Sequence, residues 1–298
     1  MNIGLRTLST RLLSTRLQGY MKPDWLDKKI RLKDCSVTKQ ILRNLGVETV
    51  CEQAMCPNTG ECFAAKTATF LILGRNCTRN CSFCNIYKAK PLPVDEHEPA
   101  RVAQAVEQLG LKHVVITSVT RDDLADGGAG VFVDTVNRIR EKLAGITVEL
   151  LIPDFRFSLD SLKAVAACSA QIIAHNVETV PSLYKAVRQG ADYQGSLGLL
   201  RGLKKIAPQL KTKSGLMLGL GEKPAEVLAV MHDLRSVECD LLTIGQYLAP
   251  SKQHYPVKDY IRPEQFDDYK EKARQLGFLY IQSGPYVRSS YLAGQYLS

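Results

Sequence analysis

From Ala68 onward the chain alternates short apolar runs with longer stretches whose apolar residues recur every three or four positions. The runs Thr69–Leu73, His113–Thr117, Thr147–Leu151, Gln171–Ala174, Lys213–Leu218 and Leu241–Ile244 have the composition and turn-residue borders of buried strands. Between and after them, 99–109, 130–143, 158–167, 196–206, 223–235 and 263–276 carry the period of amphipathic helices. Six such β/α units predict a parallel sheet and, if it closes or nearly closes, a partial barrel related to the eight-unit one. A doubly wound open sheet is the structural alternative. Phe278–Gln282 adds a candidate further strand.

Ahead of this pattern, Val37–Leu45 has helical spacing and stops at Gly46. Residues 21–67 therefore read as an N-terminal extension wrapping the core, 68–282 as the barrel, and 283–298 as a polar C-terminal segment. Residues 1–20 contain Arg6, Arg11 and Arg16, no acidic residue, and the repeat Leu8-Ser-Thr-Arg11, Leu13-Ser-Thr-Arg16. They read as a disordered basic leader, which leaves the protein cytoplasmic. The same composition suits a mitochondrial transit peptide, the alternative location.

In a β/α barrel the active site lies at the carboxyl ends of the strands, so the residues just beyond each strand are diagnostic. Here they are Ser118-Val-Thr-Arg-Asp-Asp123, Pro153-Asp154, His175-Asn-Val-Glu178, Gly219-Leu-Gly-Glu222 and Gln246-Tyr247. Polar residues are ordinary in loops. Their concentration on one rim nevertheless points to a site there.

The chemistry is carried by cysteine. Six of the nine cysteines fall into two triplets, Cys51, Cys56, Cys62 and Cys77, Cys81, Cys84, separated by the apolar run Ala68–Leu73. An odd, clustered count in a chain without a secretory signal argues against a disulfide framework and for a reducing compartment. Cys35, Cys168 and Cys239 stand apart and read as small buried hydrophobes. Thiolates select zinc, copper(I) or iron–sulfur sites. Structural zinc closes its tetrahedron with paired ligands, which neither triplet offers, so iron–sulfur is favoured over zinc. Three thiolates on a short loop can hold three irons of a cluster and leave one open to chemistry.

The formal net charge of +9 fits nucleic acid, an anionic surface or an acidic protein partner. No nucleic-acid module and no apolar run long enough to cross a bilayer is present in the sequence, so neither nucleic acid nor membrane is expected as a partner.

The loop Cys77-Thr-Arg-Asn-Cys81-Ser-Phe-Cys84 resembles the signature of radical S-adenosylmethionine (SAM) enzymes. Together with the C-x4-C-x5-C segment Cys51–Cys62 and Arg288-Ser-Ser-Tyr291, it resembles the lipoyl synthase family. That resemblance runs from Met21 to Gly294 and includes Ala-His-Asn-Val-Glu-Thr179, Met-Leu-Gly-Leu-Gly-Glu222 and Ser-Gly-Pro285.

The resemblance implies a partial (β/α)6 TIM-like barrel of the radical SAM type. It implies a sulfurtransferase with two [4Fe–4S] clusters that inserts sulfur at C6 and C8 of a protein-bound octanoyl group. Cys77, Cys81 and Cys84 would hold the cluster that binds and cleaves SAM. Cys51, Cys56 and Cys62, with Ser289 chosen over Ser290 as fourth ligand, would hold an auxiliary cluster that is the sulfur source. Asn176 and Glu178 are expected to make polar contacts to SAM or substrate, and Gly219 and Gly221 to permit close approach of SAM. The implied partners are octanoylated lipoyl carrier domains, either the glycine cleavage H protein or 2-oxoacid dehydrogenase E2 subunits. An electron donor such as ferredoxin or flavodoxin and iron–sulfur carrier proteins complete them. Two rival readings remain: a sulfur-inserting enzyme acting on tRNA, and a non-enzymatic cysteine-rich metal module.

Overall fold

The computed structural model describes residues 22–28, 35–65 and 67–295; the leader 1–20 lies outside the described residues. In chain order the elements are α1 (Ser36–Leu45), β1 (Glu48–Thr49), α2 (Val50–Gln53), α3 (Thr59–Ala64), β2 (Thr69–Ile72), β3 (Asn76–Cys77), β4 (Tyr87–Lys88) and α4 (Glu98–Leu109). There follow β5 (His113–Ser118), α5 (Ala129–Lys142), β6 (Thr147–Leu151), α6 (Leu159–Ala167), β7 (Ile172–Ala174), α7 (Tyr184–Val187) and α8 (Tyr193–Ile206). The last are β8 (Lys211–Leu218), α9 (Pro224–Ser236), β9 (Leu241–Gln246), α10 (Pro263–Gln275) and β10 (Tyr280–Gly284).

The main sheet has the order β1-β2-β5-β6-β7-β8-β9-β10, with every pair parallel except the edge pair β1·β2. Sequential order is what separates a curling barrel from a doubly wound sheet, whose order reverses at a switch point. The doubly wound alternative is therefore excluded. β10 supplies a seventh parallel strand, as Phe278–Gln282 suggested, though it starts two residues later. β1 and β10 stand at the two ends of the sheet, so the barrel is open along one side.

Local chemistry explains the units. In α4, Pro99 sits in the first turn, Val102, Ala103, Val106 and Leu109 bury one stripe, and Gly110 ends the helix at φ 64°. Its Glu98 accepts the amides of Leu73 (2.6 Å) and Gly74 (3.4 Å), tying the end of β2 at the point where the second cysteine loop begins. Strand residues facing outward, such as Ile116, Leu150 and Ile173, pack under the helices.

The inward faces are more polar. Lys213 and Glu149 form an ion pair at 2.7 Å with both side chains buried, and His113 approaches the same carboxylate at 3.3 Å. The C-terminal segment packs against the sheet: Ala293 meets Val115, Ile172 and Leu241, and the Val287 carbonyl lies where a side chain at Gly245 would stand. Among the described residues no helix is long and apolar enough to cross a membrane.

Candidate functional site

The second cysteine triplet follows β2 at the carboxyl end of the barrel and is fixed by its intervening residues. Thr78 bonds the Thr120 carbonyl through both amide (3.1 Å) and hydroxyl (3.0 Å). Ser82 gives its amide to Val187 O (3.0 Å) and its hydroxyl to Ala186 O (2.8 Å), while its own carbonyl accepts from the Tyr255 amide (2.8 Å). Phe83, the aromatic of the motif, packs with Val187, Leu220 and Tyr247.

Arg79 holds the loop most firmly. Its guanidinium meets Asp122 at 2.6 and 2.8 Å, Asp154 at 2.9 and 3.0 Å, and the Gly190 carbonyl at 2.5 Å. Two bidentate carboxylates from the β5 and β6 loops thus grip one residue between Cys77 and Cys81. The Asp154 turn is strained, with Phe155, Arg156 and Phe157 all at positive φ. Left-handed conformations outside glycine persist where surroundings over-determine them, commonly at functional sites.

Beside this loop lies a polar wall. Asn176 Nδ2 donates to Glu178 Oε1 at 3.0 Å, and Glu178 itself stands at φ 66°. Arg188 donates to the Tyr184 and Ser196 hydroxyls (3.0 and 3.1 Å) and reaches His175 Nε2 at 3.4 Å. His175 Nδ1 faces the Ile152 carbonyl at 3.0 Å, which only accepts, so Nδ1 carries the proton and Nε2 accepts. Burial and the neighbouring Arg188 hold the His175 pKa down at about 4, keeping it neutral. Burial pushes the Cys81 thiol up to about 11, opposed by Arg188, and the Cys84 thiol up to about 12.

The first triplet and the C-terminal segment enclose a cavity of about 470 Å³ lined by Cys51, Cys56, Cys62, Arg288, Ser290 and Tyr291 among others. One water occupies about 30 Å³ of liquid, so this space suits a multi-atom group rather than a single ion. Met55, at φ 50°, turns the chain between Cys51 and Cys56, and the Thr59 hydroxyl ties both their carbonyls at 2.9 and 2.8 Å. The two extensions are stitched together: Asn58 donates to Tyr286 O (2.7 Å), Tyr291 OH to Glu61 (3.0 Å), and Lys28 bonds both Asn58 and Glu61. Burial, then crowding by the other cysteines, pushes the Cys51 thiol up to about 12 and contributes to the rise of Cys62 to about 11. The cation of Arg288 stands near Cys56, where it would offset thiolate charge.

A family described as the Radical SAM superfamily matches residues 71–234. A lipoyl synthase of Geobacter sulfurreducens is 57% identical over 277 residues, covering 93% of this chain and 91% of its own. One from Caldanaerobacter subterraneus is 52% identical over 277 residues, covering 93% and 97%. The chain belongs to the lipoyl synthase family. Among solved structures, Streptococcus suis SuiB bound to its precursor peptide SuiA superposes with a TM-score of 0.56 at 11% identity, covering 90% of this chain and 58% of that one. Methylornithine synthase superposes with a TM-score of 0.53 at 14% identity, covering 82% and 81%. Identities this low carry the fold alone.

In this lipoyl synthase family member the cysteines of each triplet are neighbours, and Ser289, Gly219 and Gly221 have surroundings within the protein itself. Ser289 does not line the cysteine cavity; its Oγ donates to Asn176 Oδ1 at 3.1 Å, whereas Ser290 lines the cavity and accepts from Thr69 Oγ1 at 2.6 Å. The missing side chain of Gly219 makes room for Gln246 and the Asp259 carbonyl, and its amide is taken by Glu222 at 2.6 Å, so the close approach is the protein's own. Gly221, at φ 112°, serves the turn. Most rim polarity builds the rim: Asp122 and Asp154 grip Arg79, Arg121 pairs with Asp123, and Gln246 bonds four backbone groups. Asn176 and Glu178 do meet, beside the loop of Cys81. Sequence reasoning missed Arg79 and Arg188; an arginine inside a cysteine loop was the one available signal for the first.

Proposed function

We infer that the chain inserts two sulfur atoms, at C6 and C8, into an octanoyl group carried on a protein lysine, the lipoyl synthase reaction. The observation that supports this is that Cys51, Cys56 and Cys62 line one cavity together with Ser290 from the far end of the chain, while Cys77, Cys81 and Cys84 stand on a separate loop. Cys77, Cys81 and Cys84 would hold one [4Fe–4S] cluster, and Cys51, Cys56 and Cys62, with Ser290 as the fourth ligand, the other. Bound clusters and SAM supply the reducing electron, the hydrogen-abstracting chemistry and the sulfur.

The chain's own residues bind, orient and exclude. Arg79 fixes the loop of the SAM-side cysteines, and the Phe83 cluster closes off water behind it. Asn176, Glu178 and Arg188 offer the polar wall where the amino acid or nucleoside part of SAM would lie. Arg288 balances thiolate charge in the auxiliary cavity. Because burial keeps the thiols protonated near neutral pH, cluster loading must release protons.

Residues 21–67 and 283–298 act as two extensions that jointly build the auxiliary site around the barrel 68–282. The carrier substrate is an acidic lipoyl domain of the H-protein or E2 type, with a ferredoxin or flavodoxin as electron donor and iron–sulfur carriers for rebuilding. A reducing compartment such as the cytoplasm suits the thiol ligands.

The ligand assignment is tested by iron and acid-labile sulfide analysis of anaerobically reconstituted protein. Replacing Cys51, Cys56 and Cys62 by Ala should halve both contents, and replacing Cys77, Cys81 and Cys84 should remove the other half. Zinc without sulfide in the wild type would overturn it.

A further inference from the structure

Exposed apolar side chains occur on both of the cysteine-bearing segments that the Asn85–Gln53 hydrogen bond joins. Met55 is 68% exposed, Tyr87 65%, Leu92 47% and Val94 37%. Single exposed apolar residues are ordinary, whereas a grouped patch marks an interaction surface. No Asp or Glu occurs from Arg75 to Val94, and Arg75, Lys88 and Lys90 are all exposed.

The group is held rigidly. β3 pairs with β4, Asn76 Nδ2 donates to Lys90 O at 2.8 Å, and Pro91 and Pro93 stiffen the backbone leading to Val94. Asn85, next to Cys84, donates to the Gln53 carbonyl at 2.8 Å, between Cys51 and Cys56. Met55 and Tyr87 each stand two residues from this bond, at the seam of the two sites. Met55 holds a left-handed backbone while its side chain stays largely in solvent, a combination found at strained functional positions.

We propose that Met55, Tyr87, Lys88, Lys90 and Leu92 form the docking surface for the acidic carrier domain that presents the acylated lysine. The proposal rests on the function inferred above. An acyl chain that must reach between two cysteine sites requires its carrier to sit over their seam. The apolar groups supply contact area, and the cations select an acidic surface and speed its encounter.

The test compares two substrates: an acidic lipoyl carrier domain octanoylated on its lysine, and a short neutral peptide bearing the same octanoyl-lysine. A Tyr87→Ser/Lys88→Glu/Lys90→Glu variant should raise KM for the carrier domain by about tenfold or more while leaving peptide turnover within about twofold of wild type. Added salt should weaken carrier use by the wild type and not by the variant. An unchanged carrier KM, or an equal loss on both substrates, would overturn the surface. Failure of the wild type on both substrates would instead overturn the function itself.

Discussion

Ser289 and Ser290 are neighbours in sequence whose hydroxyls meet different partners. Ser289 Oγ donates to Asn176 Oδ1 at 3.1 Å, and Asn176 in turn holds Glu178; Ser290 accepts from Thr69 at 2.6 Å and faces the cavity of Cys51, Cys56 and Cys62. Ser290→Ala should therefore leave 5′-deoxyadenosine formation largely intact while impairing sulfur insertion. Ser289→Ala should retain auxiliary-site iron and weaken SAM binding severalfold, through loss of one hydrogen bond worth about 1 kcal/mol. Measuring product, 5′-deoxyadenosine and iron on both variants checks this, and interchanged phenotypes would refute it.

Arg79 joins Asp122 and the nearly buried Asp154. Its removal leaves carboxylates without their cation, so Arg79→Ala should cost about 3–5 kcal/mol and lower iron retention at the SAM-side loop. Adding Asp154→Asn should recover part of the stability. Urea midpoints of the single and double variants decide it, and equal midpoints would show that charge is not the cause.

The Lys213–Glu149 pair inside the barrel follows the same rule. Glu149→Gln alone should destabilise by about 3 kcal/mol, whereas Glu149→Leu with Lys213→Met should lie much nearer wild type, because a buried pair can be replaced but not halved. Thermal unfolding of the two variants measures the difference.

Much of this architecture was legible in the sequence because the buried parallel strands are short apolar runs and the helices carry an apolar stripe. Two-residue elements such as β1, β3 and β4 have no period to detect. α8 begins at Tyr193 rather than near 196 because Asp192 caps it, its side chain accepting from the Gly195 amide, and Lys211 and Thr212 hide the start of β8 behind polar side chains. The two cysteine triplets were legible as spacing. Which of Ser289 and Ser290 faces the cavity was not, since it depends on how the C-terminal segment packs against the barrel. Nor was the rim, whose acidic residues are matched to an arginine some 43 and 75 positions away.

His175 gives a pH dependence with a definite sign. Its folded pKa of about 4 lies below the usual 6.5, so between these values the unfolded chain binds a proton that the folded chain refuses. The contribution is complete above pH 6.5 and is lost as pH falls towards 4, a difference of about 3 kcal/mol. Urea midpoints at pH 7.5 and 4.5 should fall less in His175→Gln than in the wild type; an identical fall would contradict the assignment.

The most direct measurement is mass spectrometry of an octanoylated carrier domain after anaerobic incubation with reconstituted enzyme, SAM and reductant. The carrier should gain two sulfurs less two hydrogens with the wild type and nothing with the Cys51, Cys56 and Cys62 triple-alanine variant, which should still form 5′-deoxyadenosine. 5′-Deoxyadenosine from the wild type with an unchanged carrier, or sulfur insertion by the triple variant, would contradict the proposed reaction.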